Sequence, residues 1–573
     1  MFFESAATYT ANETLITSSD DEGTVWENTG IRTMPRGDCR MPSFGPRDSL
    51  RTELQGVLPQ RIPEFLLRQR WFGGKARKIV SADVVDVVPM LPHPETQLVL
   101  ARVNYATGPS ETYSLPLLHA GAESPLTVEL PSTAIEASPD PELRDALANE
   151  HFLEFLLQSI EHERSFHGQY GEVVAHPVAG LQSLINSTRD ALQPSLMKVE
   201  QSNSSIVYGR HLVLKFFRKL DVGINPDLEI GTFLAQQGGF HHVPSLAGHL
   251  EYRSGADKQM ILGILQEFVP NQGDAWQFTL KHVAGYYERA KSLASLPPWS
   301  RLLLIDRARA TTPTEVRDRI GEYLDAAELL GRRTGELHLA LSSSSGDPAF
   351  APQPLTPVDR QRMCSSALSL WERTVQLLRD RLHTLPEDLQ QQAHQVLSQD
   401  AKLKQRYSLL LRAETSGLRI RIHGDYHLGQ VLFTGNDFII VDFEGEPARL
   451  LSERRAKQSP LQDVAGMLRS FHYAAYAPFL TSTGSQTGLA ERNWFATWAH
   501  YWQAWVSAAF LGAYLRTVGS SPCIPQDHAQ LAELLDAYML DKAVYELGYE
   551  LNNRPSWVAV PLQGIAALLS ESP

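Results

Sequence analysis

The sequence predicts an α+β chain of two unequal parts. Short apolar segments of strand character gather before about residue 270, and long stretches with 3.6-residue apolar spacing fill most of the remainder to residue 573. One polar hairpin interrupts the helical part: Val431–Phe433 and Phe438–Val441 flank Thr434-Gly435-Asn436-Asp437, a composition suited to a tight connection.

Residues 1–50 are rich in Thr, Ser, Gly, Asp and Asn without a sustained apolar period, and are expected to be a disordered N-terminal extension. From Leu58-Pro59 the texture changes. Glu64–Phe72 reads as a short amphipathic helix ending at Gly73-Gly74, and Ala82–Val88, Gln97–Val103 and Glu111–Leu117 alternate like antiparallel strands, which makes 51–142 a small separate subdomain. A helix is expected over Leu143–Ile160. Strands follow at Met197–Glu200, Ser205–Tyr208, His211–Phe217 and Ile261–Phe268, with a helix from Asn225-Pro226-Asp227, where Asn supplies a cap and Pro suits the first turn. Beyond residue 270, Trp276–Leu293, Val316–Leu341, Asp359–Leu382 and Pro386–Ala413 carry helical spacing, and Ser459-Pro460-Leu461-Gln462 is a capping box opening another helix. His338, among leucines on one of these helices, reads as a core or surface residue.

Composition excludes several classes. With 43% hydrophobic and 20% charged residues the chain is of ordinary globular type, and a formal charge of −13 argues against nucleic acid or an anionic membrane as partner. Cys39, Cys364 and Cys523 are too widely spaced for a disulfide framework or a zinc pattern, which fits a reducing cytoplasm. The N-terminus lacks a basic signal-peptide region, and the most apolar candidate span, Trp494–Val518, is interrupted by His500, Gln503, Ser507 and Arg516, so it reads as a buried aromatic helix.

Chemistry concentrates between Arg421 and Pro447. Asp425 precedes the first hairpin strand, Gln430 stands at its entrance, and Asp442 and Glu444 follow the second, so a fold can bring the four side chains together. Such a set suits phosphoryl transfer, which needs one carboxylate to orient and deprotonate a hydroxyl and oxygen ligands to hold Mg²⁺ against nucleotide phosphates. A single Asp after Gly is most often a turn residue. The His-Gly-Asp, the amide five residues on, the hairpin and the Asp-x-Glu together are much harder to explain that way.

This block resembles the catalytic and metal loops of the protein-kinase-like phosphotransferases, in particular the aminoglycoside-phosphotransferase branch, where His-Gly-Asp stands in place of His-Arg-Asp. With Arg70-Trp71-Phe72-Gly73-Gly74-Lys75, Ser459–Ser470 and Tyr549–Pro555, the run from about 55 to 570 is similar to the bacterial maltokinases. The resemblance implies a bilobal kinase-like fold with the N-terminal cap at 51–142, a β-sheet N-lobe at 143–270 and a helical C-lobe at 271–573. It implies an enzyme that uses ATP and Mg²⁺ to phosphorylate the anomeric hydroxyl of maltose, in the route from trehalose to α-glucan. By position, Asp425 would be the catalytic base, Gln430, Asp442 and Glu444 the metal ligands, and Lys215 paired with Glu229 the grip on phosphates. Ser202, Asn203 and Ser204 stand where a glycine-rich loop would cover the phosphates, and Gln266, Glu267 and Phe268 where a hinge would read adenine. His423 and Asp463 would support the catalytic loop.

Glu446, Tyr549, Asn553 and Arg554 are the expected acceptor contacts, because aromatic faces and planar polar groups together suit sugars. The basic loop Arg449, Arg454, Arg455 and Lys457 is expected to be solvated. Relatives are often associated with trehalose synthase, and here that association would be in trans. Two other readings stand beside this one: a kinase of an amino sugar or aminoglycoside, for which Glu444, Glu446, Glu546 and Glu550 supply carboxylates, and a catalytically silent kinase-like partner of trehalose synthase.

Overall fold

The computed structural model describes residues 48–91, 96–119, 143–197, 203–255, 258–293, 296, 302–343, 346–412, 417–482 and 489–570. The expected extension over 1–50 therefore falls almost wholly outside the described residues, as does Ser202. The architecture is a kinase-like fold with a cap, a strand-rich N-lobe and a helical C-lobe.

In the cap, a helix over Asp48–Arg68 packs on three antiparallel strands, Ile79–Leu91, Thr96–Tyr105 and Glu111–His119. Leu66, Trp71, Phe72, Val87, Val99, Val103 and Leu115 form its core, drawn from alternate positions along each strand. The cap is not separate, as its composition suggested. Lys219–Leu220, just beyond the strand Leu212–Phe217, pairs with Glu111–His119, and Val88, Met90, Leu98 and Leu100 from the opposite face join the N-lobe core. Leu143–Asp145 also adds to this sheet, where a helix was expected. Asp145 and Asn149 explain the delay, since each side chain caps a following turn and the helix proper runs only over Glu150–Glu161.

The N-lobe is a seven-stranded antiparallel sheet in the order Ser165–His167, Glu172–Pro177, Leu246–Ser254, Lys258–Glu267, Leu212–Phe217, Asn203–Tyr208, Pro194–Leu196. A helix over Pro226–Gln237, capped by Asn225, connects two of these strands. In the C-lobe, the span expected as one helix over Val316–Leu341 is two, Thr314–Ile320 and Tyr323–Leu341. Gly321, at φ +81°, turns the chain between them. Pro386–Ala413 likewise divides into Glu387–Ser398 and Asp400–Arg412. The aromatic helix, Leu489–Val518, is buried among the others, with Trp502, Tyr501 and Tyr514 almost wholly enclosed. Among the described residues no helix is long and apolar enough to cross a membrane.

Cap and N-lobe are joined by charge as well as by pairing. Glu111 accepts from the hydroxyls of Tyr105 (2.8 Å) and Tyr113 (2.7 Å) and from Lys219 Nζ (2.8 Å), and pairs with Arg77. Burial would raise its pKa, but the bond from Lys219 and those from the tyrosines outweigh it and lower the carboxyl from 4.5 to about 2. A depressed folded pKa contributes stability that is complete above the unfolded value and disappears as pH falls toward the folded one. Glu111→Gln should therefore destabilise the protein by about 2 kcal/mol at pH 7. Urea unfolding should show that difference shrinking steadily as pH is lowered from 5 to 3.

Candidate active site

The catalytic loop is built on a buried carboxylate. Asp463, in the first turn of the helix Leu461–Ser482, accepts from the backbone N–H groups of His423 (2.8 Å) and Gly424 (2.9 Å). His338 Nε2 lies 3.3 Å from the same carboxylate, and its Nδ1 lies 3.1 Å from the Tyr514 hydroxyl. His338 is thus a core residue that braces the loop at second hand. The loop continues onto the same helix: Leu428 N donates to Ser470 Oγ (3.1 Å), and Gly466 lets the backbone of Tyr426 approach so closely that a Cβ would stand 2.6 Å from its carbonyl oxygen. His423 Nε2 donates to the carbonyl of Val441 (2.9 Å), tying the catalytic loop to the metal loop.

The hairpin forms as Val431–Phe433 and Phe438–Ile440, with Val431 opposite Ile440, and delivers Gln430 and Asp442 to the same end. Asp442 has φ +69°, a left-handed conformation that Asp tolerates better than most residues and that turns its carboxylate back toward the N-lobe. Gln430 Nε2 donates to Asp442 Oδ2 at 2.6 Å. Lys215 pairs with Asp442 and lies 2.6 Å from Glu444 and 3.2 Å from Asp227. Asn203 Nδ2 donates to Glu444 Oε1 at 2.6 Å. Burial would raise Asp442, but the Lys215 ammonium holds it below the usual carboxylate range. Burial keeps Glu444 raised despite Lys215, with Asp442 adding to the effect.

Asp227, Asp442 and Glu444 offer oxygens within 4.8 Å of one another around the single Lys215 ammonium. Three carboxylates against one cation, with the Gln430 amide alongside, is an all-oxygen, electron-rich donor set that fits a hard divalent ion. The Gln430 nitrogen now faces Asp442, so its carbonyl would serve a cation only after the amide turns.

The expected pairing of Lys215 with Glu229 is corrected. At 100° per residue, Asp227 and Glu229 point about 200° apart on their helix, so only one can face Lys215. Asp227 does, and it also accepts from Phe443 N at 3.2 Å. Glu229 faces the C-lobe, where it pairs with Arg421 (2.6 Å) and Arg455 (2.6 Å). The basic loop is accordingly no solvated turn: Arg454 donates to the Glu444 carbonyl at 3.1 Å and pairs with Asp221, while Arg449 holds Glu446 at 2.9 Å.

Strand alternation also corrects Ser204. Asn203 and Ser205 share the face of Lys215, whereas Ser204 points inward, fully buried, and accepts from Arg218 Nε at 2.8 Å. At the expected hinge, Gln266 and Glu267 close the strand Lys258–Glu267 and Phe268 follows it. The N–H groups of Glu267 and Phe268 are already committed to the carbonyls of Ser245 (2.9 Å) and His211 (2.8 Å), so they are not presented to a purine.

The helix His528–Asn553 runs past Asp425 and brings Asp541 and Lys542, which sequence reasoning missed, together with Tyr545. Lys542 Nζ lies 3.4 Å from Asp425 Oδ1. Burial would raise Asp425, but the Lys542 ammonium holds the carboxyl below its ordinary value. One turn on, Tyr545 is hydrogen-bonded to Glu446, and burial followed by that carboxylate raises its hydroxyl far above the ordinary range. Asp541 is raised to about 6 by burial, with Glu446 adding to this and Arg449 and Lys542 opposing it.

Of the expected acceptor residues, Glu446 lies in this cluster and Tyr549 continues the same helix face about 10 Å beyond Lys542. Asn553 and Arg554 lie about 16–18 Å along the helix from Lys542, too far to touch a hydroxyl seated on Asp425. Both are otherwise engaged: Arg554 grips Glu550 at 2.6 and 3.0 Å, and Asn553 donates to the carbonyl of Tyr549 at 2.9 Å.

Comparison with known proteins follows the same division. Residues 65–136 match the model of the maltokinase N-terminal cap domain, and residues 198–495 match that of a phosphotransferase enzyme family. The glucosamine kinase of Mycolicibacterium smegmatis is 25% identical over 381 residues, covering 65% of this chain and 79% of that protein. The glucosamine kinase of Streptacidiphilus jiangxiensis is 25% identical over 384 residues, covering 65% and 73%. A solved glucosamine kinase in complex with glucosamine, ADP and inorganic phosphate superposes with a TM-score of 0.56 at 18% identity, over 85% of this chain and 94% of that one.

The reassignment of the lysine partner is testable. Asp227→Asn should lower kcat at least tenfold. Glu229→Gln, which leaves Arg421 buried without its carboxylate, should lower Tm by a few degrees while kcat stays within about threefold.

Proposed function

The chain belongs to the phosphotransferase enzyme family, and on that premise we propose that it is an ATP-dependent sugar kinase which phosphorylates the anomeric hydroxyl of maltose. The observation that carries the kinase reading is the convergence of Asp425, from the catalytic loop, with the Lys215–Asp442–Glu444 cluster, from both lobes. Maltose as acceptor is supported by the cap, which matches a maltokinase domain model, and by the motifs His423–Gln430, Asp442–Pro447 and Tyr549–Pro555.

In the reaction, Asp425 accepts a hydrogen bond from the acceptor hydroxyl and takes its proton as the new P–O bond forms to the γ-phosphorus. The bond between that phosphorus and the β–γ bridging oxygen breaks, and ADP leaves with the electron pair. A depressed pKa keeps Asp425 ionised at neutral pH, and a weak base suffices because proton transfer comes late in a loose transition state. Lys215, steadied by Asp227, grips the nucleotide phosphates across the lobe interface. Asp442, with Gln430 and Glu444, would hold Mg²⁺, whose chemistry is to neutralise the charge of the β- and γ-phosphates. Tyr545 and Glu446 flank the space in front of Asp425, where an aromatic ring and a fixed carboxylate can receive a sugar.

A second reading, an amino sugar as acceptor, is favoured by Asp541. Burial and the neighbouring Glu446 disfavour the Asp541 carboxylate, and a substrate ammonium beside it would relieve that repulsion; the curated relatives are named glucosamine kinases.

Proton-coupled phosphorus NMR with Mg-ATP and either maltose or glucosamine separates the readings. A new doublet with maltose whose coupling partner, traced by proton–phosphorus correlation, is the anomeric proton marks phosphate on the anomeric carbon and supports the proposal. A new signal with glucosamine alone transfers the function to the amino sugar, a triplet marking phosphorylation at a CH₂OH group. Silence with both sugars, with ATP bound, overturns the sugar-kinase reading. With the acceptor so identified, Asp425→Ala should lower kcat by ~10³-fold or more while ATP affinity stays within about threefold.

A further inference from the structure

We propose that Lys542 is a catalytic residue: its ammonium, delivered by the helix His528–Asn553, bridges Asp425 and the phosphoryl group in flight. This rests on the kinase reading and adds a group to it that neither the catalytic loop nor the metal loop supplies.

The argument begins with charge. As phosphoryl transfer proceeds, the anionic γ-phosphoryl moves toward a hydroxyl that is itself bonded to the Asp425 carboxylate, so two like-charged groups converge on one oxygen. The loop's own imidazoles do not offset this repulsion. His423 is turned to the backbone, donating through Nε2 to Val441 O (2.9 Å) with Nδ1 3.4 Å from Asp425 N. His427 accepts the Gly429 N–H through Nδ1 at 3.0 Å, and burial lowers its pKa to about 4, so it is neutral at physiological pH. Asp442, from the neighbouring loop, adds a further negative charge near Asp425.

Lys542 is where the compensating charge comes from. Its Nζ lies 3.4 Å from Asp425 Oδ1, with both side chains less than a fifth exposed, so the pair acts in a poorly solvated site where electrostatics are strong. An ammonium has three donors pointing in different directions. One can remain on Asp425 while another reaches an equatorial phosphoryl oxygen of a group transferring to the hydroxyl on that same carboxylate. Lys215 cannot do this from its place among Asp227, Asp442 and Glu444 on the nucleotide side. The Tyr545 ring, one turn on and 5.1 Å from Nζ, lies between the lysine and Glu446, so the helix that carries the charge also lines the space for the acceptor.

The test compares wild type, Lys542→Met and Lys542→Arg for steady-state kinetics with the acceptor found by phosphorus NMR, and for calorimetric binding of Mg-ADP with and without aluminium fluoride. Thermal melts confirm that both variants fold. The expected result for Lys542→Met is a ~10²-fold loss in kcat with both KM values within about threefold. Its affinity for the ADP–aluminium fluoride complex, which mimics the phosphoryl in flight, should fall by a similar factor while ADP alone binds as before. Lys542→Arg should recover at least about tenfold of the loss in kcat.

Unchanged kcat with a raised acceptor KM would make Lys542 a sugar contact, and equal weakening of ADP with and without fluoride would make it a structural one. Either result overturns the proposal. Should wild type phosphorylate no sugar, the kinase reading fails by that result, while the fluoride comparison still decides what Lys542 holds.

Discussion

One ammonium holds the two lobes in working register. Lys215 rises from a central strand of the N-lobe sheet and is met by Asp227 from its own lobe and by Asp442 and Glu444 from the far side of the cleft. A lysine in an apolar strand is costly to bury unless its charge is met, and carboxylates crowded together are costly unless a cation divides them. Each half of the site therefore makes the other tolerable. The excess of negative charge that remains suits the cluster to a further cation.

Behind that contact lies a second tier of polar groups with no exposure of their own. Asp463 fixes two consecutive backbone amides of the catalytic loop, His338 and Tyr514 steady Asp463, and Gly466 yields the space the loop needs. Glu229, Arg421 and Arg455 form a parallel brace between the lobes. Glu229 thereby ties the 226–237 helix to Arg421, two residues before His423. Positioning of this kind is the main contribution a protein makes to phosphoryl transfer, since the covalent chemistry asks little of it.

The acceptor side is organised by one long helix rather than by the loops. Residues 541, 542, 545 and 549 recur at near-helical spacing, and the helix lays them along the cleft from Asp425 outward. A carboxylate, a cation and two phenols thus lie on one rigid face, which can vary without altering the loop that carries Asp425.

The catalytic block was legible because its chemistry is local. Asp425, Gln430, Asp442 and Glu444 lie within twenty residues, joined by a hairpin whose turn composition marks it, and the Ser459 capping box announces the helix that bears Asp463. The strand holding Lys215 and the aromatic helix over Leu489–Val518 were equally readable from apolar patterning. What the chain alone did not reveal depends on direction. Asp227 rather than Glu229 faces Lys215 because of a 200° rotation about a helix axis, and Asn203 rather than Ser204 faces the site because a strand alternates. The helix boundary near Leu143 went to a strand because two capping residues competed with the apolar period. Lys542, more than a hundred residues from Asp425, carries no local mark of function, and the composition of the stretch that ends in Asn553 and Arg554 did not show how far along the helix from Asp425 those two residues lie. Local order thus determined where the candidate loop residues lie and in what sequence they come. The packing of the 528–553 helix across the cleft decided which partners they meet, because long-range contacts are set by the shape of the whole core and not by neighbours in the chain.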